Sequence, residues 1–312
     1  MKSTTFPAKL DQYRSFILLD EPFVAPEPAP EAKADRADLV DELLAFLKSE
    51  ATVKPEFIDV EGIPSTCDEK RRMLRALLTV RGPDPLPSWF HMQLDRLLQR
   101  ETLERGQIDA STLPRISEAF PESLYVAAGQ CALWRGDITA LCVDAIVNAA
   151  NADMLGCFQP FHACIDNVIH SAAGPRLRED CHAVMQLQGC TEGTGWAKVT
   201  RAYNLPAKYI LHTVGPISHE GNQSVSPEHE QQLADCYYSC LDLASRVSAI
   251  RSIAFCCIST GVFGFPREPA ARIALRTTGQ WLADNPDTLD LIIFNVFLQD
   301  DLEIYERILK GG

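Results

Sequence analysis

From about Leu124 the chain changes its grammar, and that change limits the possible folds more than any other feature. Short β-rich runs at 131–134, 145–147, 198–203, 209–214, 253–258 and 291–297 alternate with stretches of helical period. The clearest helical stretch spans 228–246. Ser226 and Pro227 stand at its start, and Leu233, Cys236, Tyr237, Cys240 and Leu241 fall on one face. Strands and helices in alternation predict an α/β fold with a mostly parallel sheet covered by helices on both sides. In that architecture ligands sit over the carboxyl ends of the strands, so the strand-to-helix loops are where chemistry is expected.

The chain before this region reads differently. Residues 20–34 are rich in Pro, Ala and Glu and carry too little apolar surface to fold, so 1–37 is expected to be a mobile N-terminus and linker. Residues 38–120 are expected to form a small α-helical domain, followed by the α/β domain over 121–312. Leu39, Val40, Leu43, Leu44 and Leu47 make one apolar stripe. Thr66 and Glu69 have capping-box spacing and open a second helix through Met73, Leu74, Leu77 and Leu78. The proline-rich 82–87 breaks it, and a third helix carries Trp89, Phe90, Leu94, Leu97 and Leu98. His91 on this helix reads as a packing or surface residue.

A formal net charge of −13 with no dense basic run argues against nucleic-acid binding through phosphate neutralisation. No apolar stretch is long enough to span a membrane, so neither class of partner is expected. Ten of the eleven cysteines lie between Cys131 and Cys257, several inside apolar runs. The odd count and the absence of a secretory core point to a reducing, cytoplasmic compartment rather than a disulfide framework. Lys2, Lys9 and Arg14 among early hydroxyl residues leave an organelle transit segment as the alternative.

Four constellations carry chemistry. Cys157, His162 and Cys164 place two thiols and an imidazole in one Gly- and Pro-containing loop, a donor set that suits tetrahedral zinc. Three protein ligands would leave the open position that marks catalytic zinc. Spacing alone also allows three unrelated loop residues, and Cys181, His182 and Cys190 form a rival set that reads as packing. The second constellation is Asn148-Ala-Ala-Asn151, ending a strand in small residues and an amide. The third runs from Ser259 to Pro266 between a strand and a helix. It forms either a backbone cradle for phosphate or a tight turn with core aromatics, and matches no common nucleotide fingerprint. The fourth is Arg135-Gly136-Asp137-Ile138-Thr139, whose carboxylate suits either an exocyclic amine or a helix N-cap. Asp166 follows the Cys/His cluster at a helix start, suited to capping or to positioning a water or ribose.

Taken in order, these segments resemble the macrodomain family. The Gly136-to-Thr139 turn, the 147–151 strand end, Asp166-Asn-Val-Ile-His170, the 209–216 strand and the 259–266 loop all follow that family's sequence of motifs over roughly 124–309. The glycine-rich loop of ordinary hydrolytic members is replaced by 154–164, which is similar to a zinc-containing branch. The resemblance implies a three-layer α/β/α fold with a mixed, mostly parallel sheet that binds ADP-ribose. It implies that Asp137 and Ile138 hold the adenine end, with Phe265 against the base or its ribose. The backbone of Ser259, Thr260, Gly261, Val262, Phe263, Gly264 and Phe265 would hold the diphosphate. Asn151 and Asp166 would face the distal ribose as the catalytic pair, beside one zinc per chain on Cys157, His162 and Cys164. The expected activity is hydrolysis of mono-ADP-ribose from modified protein side chains, glycosidic or ester, releasing ADP-ribose. The alternative is a non-catalytic ADP-ribose reader in which zinc is structural.

Overall fold

The structure is a computed structural model that describes residues 7–50, 66–218 and 225–311. The calls that fall on 1–6, on 51–65 and on 219–224 lie outside the described residues. Three helices, α2 (Ala37–Ser49), α3 (Cys67–Val80) and α4 (Ser88–Arg105), follow the short α1 (Leu10–Tyr13). Thr66 caps α3: its side chain accepts from the Glu69 N–H while Glu69 reaches back, the reciprocal cap that the spacing predicts. Val40, Leu43, Leu47, Leu74, Leu77, Phe90 and Leu94 close a core of their own between these helices. His91 packs as expected, buried with Nε2 3.0 Å from Glu179 Oε1.

The N-terminal segment differs from expectation. Tyr13 and Leu19 are buried in the α/β core with Leu10 and Ile17. The Ala29 backbone is tied to α4, its N–H donating to the Arg96 carbonyl and its carbonyl accepting from Arg100 Nε. The physical reason is a free sheet edge. Val199 on the outermost strand donates its N–H to Tyr13 Oη at 3.1 Å, so the segment covers backbone that would otherwise be open to pairing.

The α/β region begins with β1 (Ile108–Asp109), α5 (Ile116–Ala119), β2 (Cys131–Arg135), β3 (Leu141–Cys142) and β4 (Ala145–Ala150). It continues through α6 (Ile165–Ala173), α7 (Pro175–Gln188), β5 (Ala197–Arg201), β6 (Tyr209–Val214) and α8 (Pro227–Ser245). The last elements are β7 (Ser252–Phe255), α9 (Arg267–Asp284), β8 (Leu291–Val296) and α10 (Gln299–Leu309). Ser226 caps α8 and Pro227 occupies its first turn, where a missing N–H costs nothing. β1 and β3 pair separately, and the main sheet runs β2-β8-β7-β4-β6-β5. Every neighbouring pair is parallel except β5 with β6.

Strand alternation sorts the helices onto two faces. Asn148 and His212, opposite each other in register, point at α6 and α7, where they meet Asp166 and Cys181. The next residue, Thr213, faces α8 and its Cys236. The result is the three-layer α/β/α arrangement with a mixed, mostly parallel sheet. It aligns the carboxyl ends of β2, β8, β7, β4 and β6 along one edge. The chain leaves β4 toward α6 on one face and leaves its neighbour β7 toward α9 on the other. Such a switch point is where α/β folds hold their ligands.

Candidate functional site

Two loops leave adjacent strand ends at that switch point: 151–164 after β4 and 259–265 after β7. In the first, Asn151 Oδ1 accepts from the N–H groups of Asp153 and Met154, and its Nδ2 donates to the Gly156 carbonyl at 3.1 Å. These bonds turn the chain sharply, through positive φ at Met154 and at Gly156. Gly156 sits so close to the His170 imidazole that a Cβ would come within 2.9 Å of its Cγ, so both φ and space demand glycine. Beyond the turn, Cys157, His162 and Cys164 bring their donor atoms within 4.8 Å of one another, all half-buried. Cys157 Sγ lies 3.6 Å from His162 Nδ1. Cys164 is also the N-cap of α6, its Sγ accepting from the Asn167 N–H at 3.4 Å. Burial and the neighbouring Cys157 sulfur push the Cys164 thiol up to about 11.

Beneath this loop lies a buried polar layer. Asn148 Nδ2 donates to Asp166 Oδ1 at 2.8 Å and lies 3.2 Å from His212 Nδ1. The other ring nitrogen of His212 meets Thr200 Oγ1 at 3.0 Å. Burial holds Asp166 up at about 6 although Asn148 and Arg178 pull the other way. Burial drives His212 down to about 3 and His170 well below its ordinary range, so both rings are neutral. The 3.5 Å approach of His170 Nε2 to Asp166 Oδ1 is therefore not an ion pair. His170, Cys181 and His212 also cluster, but His212 already has a partner at each nitrogen.

In the second loop Ser259 adopts a φ of 65°, and its buried Oγ has no partner. A Cβ on Gly215, at the end of β6, would meet that Oγ at 2.0 Å, so the glycine permits the close approach of the two strand ends. Thr260, Gly264 and Phe265 spend their N–H groups on carbonyls of the same turn. Among the described residues the N–H groups of Gly261, Val262 and Phe263 have no partner.

Comparison with known proteins places this arrangement. The profile of the Macro domain family matches residues 147–274. A protein named protein-ADP-ribose hydrolase from Treponema medium is 45% identical over 248 residues, covering 80% of this chain and 90% of that protein. One of the same name from Staphylococcus aureus is 44% identical over 249 residues, covering 80% and 88%. The chain belongs to the macrodomain family. Among solved structures, a Trypanosoma brucei macrodomain in complex with ADP-ribose is 32% identical with a TM-score of 0.55, covering 72% of this chain and 91% of that one.

Within this macrodomain several expected residues stand where the motifs put them, and others do not. Cys157, His162 and Cys164 converge, with Asp166 two residues beyond the last of them. Phe265 is buried in the main core and cannot lie against a base; a turn that folds Phe265 N–H back to the Ser259 carbonyl carries its ring inward. The Ile138 side chain is buried as well, which leaves its backbone as the part open to a ligand. Asp137 caps its own turn, Oδ1 accepting from the Thr139 N–H and hydroxyl, while Oδ2 lies 3.9 Å from Arg105 Nε. Asn151 spends its carbonyl and one amide hydrogen on bracing its loop. The sequence reading named Asn148 only as the start of the 148–151 motif and did not single out Phe297. Asn148 engages Asp166, and its signal was a polar residue inside an apolar strand. Phe297, just past β8, is 70% exposed on the same edge as Asp137. A large exposed aromatic at a strand's carboxyl end was the available signal.

Proposed function

We propose that this macrodomain hydrolyses mono-ADP-ribose from modified protein side chains, with one zinc held by Cys157, His162 and Cys164. The observation that carries the reading is the convergence of those three donors in the loop after β4, directly before a helix whose first turn carries Asp166. The donor set fits zinc on distance: a tetrahedral ion with Zn–S of ~2.3 Å and Zn–N of ~2.05 Å separates sulfur from nitrogen by about 3.5 Å. Cys157 Sγ and His162 Nδ1 stand 3.6 Å apart. When bound, zinc on Cys157, His162 and Cys164 would supply a Lewis acid.

The chain's own groups do the rest. The free N–H groups of Gly261, Val262 and Phe263 suit a diphosphate, and Asp137 Oδ2, with Arg105 Nε 3.9 Å away, suits an exocyclic amine. Asp166 orients the attacking water or accepts its proton. Water's oxygen joins the electrophilic carbon, the bond to the linking atom breaks, and the proton passes to the released group.

One observation favours a second reading, an ADP-ribose reader with structural zinc: Asp166 is buried and already bonded to Asn148. Release of ADP-ribose from mono-modified Asp, Glu, Ser and Arg proteins, with and without chelator, separates the two. We expect about one zinc per chain, turnover lost on chelation, and Asp166→Ala slowed by ~10²–10⁴ with zinc and ADP-ribose binding retained. A zinc-replete wild type that releases nothing from any of these linkages replaces the hydrolase with the reader.

A further inference from the structure

The donor loop 157–164 has little structure of its own. It contains neither helix nor strand, Phe161 holds a φ of 61°, and its internal bonds are a His162 N–H to the Gln159 carbonyl at 3.2 Å, the Cys157 Sγ–His162 Nδ1 contact at 3.6 Å and a weak thiol contact at 4.0 Å. What keeps three donors together comes from outside, and much of it comes from the helical unit. Arg72, on α3, lays its guanidinium 4.4 Å over the Phe161 ring. Arg75, one turn on, reaches across to α6, with Nη2 3.4 Å from Asn167 Oδ1 and Nε 3.3 Å from Ser171 Oγ. Asn167 is the knot of the loop: its N–H donates to Cys164 Sγ and its Nδ2 donates to the Gln159 carbonyl at 2.9 Å.

A third arginine binds the loop to the end of the same helix. Arg178, buried on α7, donates Nε to the Leu155 carbonyl at 2.7 Å and Nη1 to the carbonyls of Leu78 and Arg81. Its guanidinium lies 4.5 Å over the Phe158 ring. Both aromatic rings of the loop are thus covered by cations, and both sides of its base are tied to α3.

We propose that α3 is a working part of the metal centre: Arg72 and Arg75, with Arg178 behind them, hold the donor loop in its ligating shape and so set its affinity for zinc. This gives the helical unit a task in the site, and it rests on the reading of Cys157, His162 and Cys164 as zinc ligands. A loop already ordered in its bound form binds more tightly because less ordering remains to be done on binding. Arg72 is exposed and Arg75 half-buried, so neither is needed to fill a core.

The test is a competition titration of the metal-free full-length protein with zinc against a chromogenic chelator, comparing wild type with the Arg72→Ala/Arg75→Ala double variant. The expected result is at least tenfold weaker zinc binding in the double variant. Amide hydrogen exchange in the metal-free proteins should also be faster at 157–164, with exchange in the sheet unchanged. Equal affinities within twofold overturn the proposal and leave the zinc reading standing. A wild type that takes up no zinc overturns both. Should the double variant fail to fold, Arg72→Ala alone is read in the same way, with threefold weakening or more expected and none counting against the proposal.

Discussion

Asn148→Ala tests the buried layer beneath the donor loop, because Asn148 is the group that ties Asp166 to the sheet. Its Nδ2 donates to Asp166 Oδ1 at 2.8 Å and approaches His212 Nδ1 at 3.2 Å. A hydrogen bond to a charged group contributes about 1.5–3 kcal/mol. If all of that is lost where Asp166 orients the reacting water, the barrier rises by the same amount, roughly 10- to 150-fold in kcat. KM should move by less than about threefold, because the groups suited to the diphosphate and adenine lie on other loops. The assay is steady-state release of ADP-ribose from a mono-modified protein, with zinc content and melting temperature recorded alongside. Thr200→Val is the control, since it alters the far nitrogen of His212 and a bond to the Arg201 carbonyl and leaves the bond to Asp166 in place. Its kcat should stay within about threefold of wild type. Wild-type kcat in a folded, zinc-replete Asn148→Ala protein refutes the assignment of Asn148 as the group that aims Asp166.

Two further predictions concern stability. Lys198 and Glu192 form a fully buried ion pair. Lys198→Met leaves the Glu192 carboxylate uncompensated, so unfolding in urea should become easier by about 3–5 kcal/mol, and a loss below 1 kcal/mol contradicts this. Burial raises Asp180 from 3.8 to about 6, outweighing the Tyr203 hydroxyl and the Arg201 charge. Between those values the folded chain keeps a proton that the unfolded chain has released, so the contribution of Asp180 falls as pH rises through the window. The two-unit shift amounts to on the order of 2–3 kcal/mol. Asp180→Asn should therefore gain on wild type in melting temperature from pH 4 to pH 6.5, and parallel curves refute it.

The alternation of elements was legible because strands buried on both faces must be apolar along their length, and helices between them must repeat on one face. Where a buried residue is polar, that signal stops. The apolar run stops at Val147, yet β4 continues through Ala150 into the small-residue strand end, with Asn148 satisfied by Asp166 rather than by water. The N-terminal segment shows the converse. Its apolar residues are too few to announce a core, and Tyr13 is buried because a free N–H on β5 needs a partner, a fact of tertiary structure. For the 259–265 loop the sequence left a phosphate cradle and a tight turn with core aromatics both open. Which way its aromatics point depends on the bond between Phe265 N–H and the Ser259 carbonyl, which no composition rule reveals.

Proximity of donors was also legible, but proximity alone does not single out a metal site. His170, Cys181 and His212 gather their donor atoms as tightly as Cys157, His162 and Cys164 do. The difference lies in what each set would give up. The inner set is fully buried, and an ion there would take His212 from Asn148 and Thr200, disturbing the support of Asp166. The outer set is half-buried on the loop after β4, and the one N–H held by its sulfurs is the helix cap at Asn167. Binding there forfeits little, and the loop's shape is already maintained from α3 and α7. The two clusters thus divide the work by depth. The outer one leaves its donor atoms half-buried and little committed, and the inner one has His212 committed to Asn148, the residue bonded to Asp166.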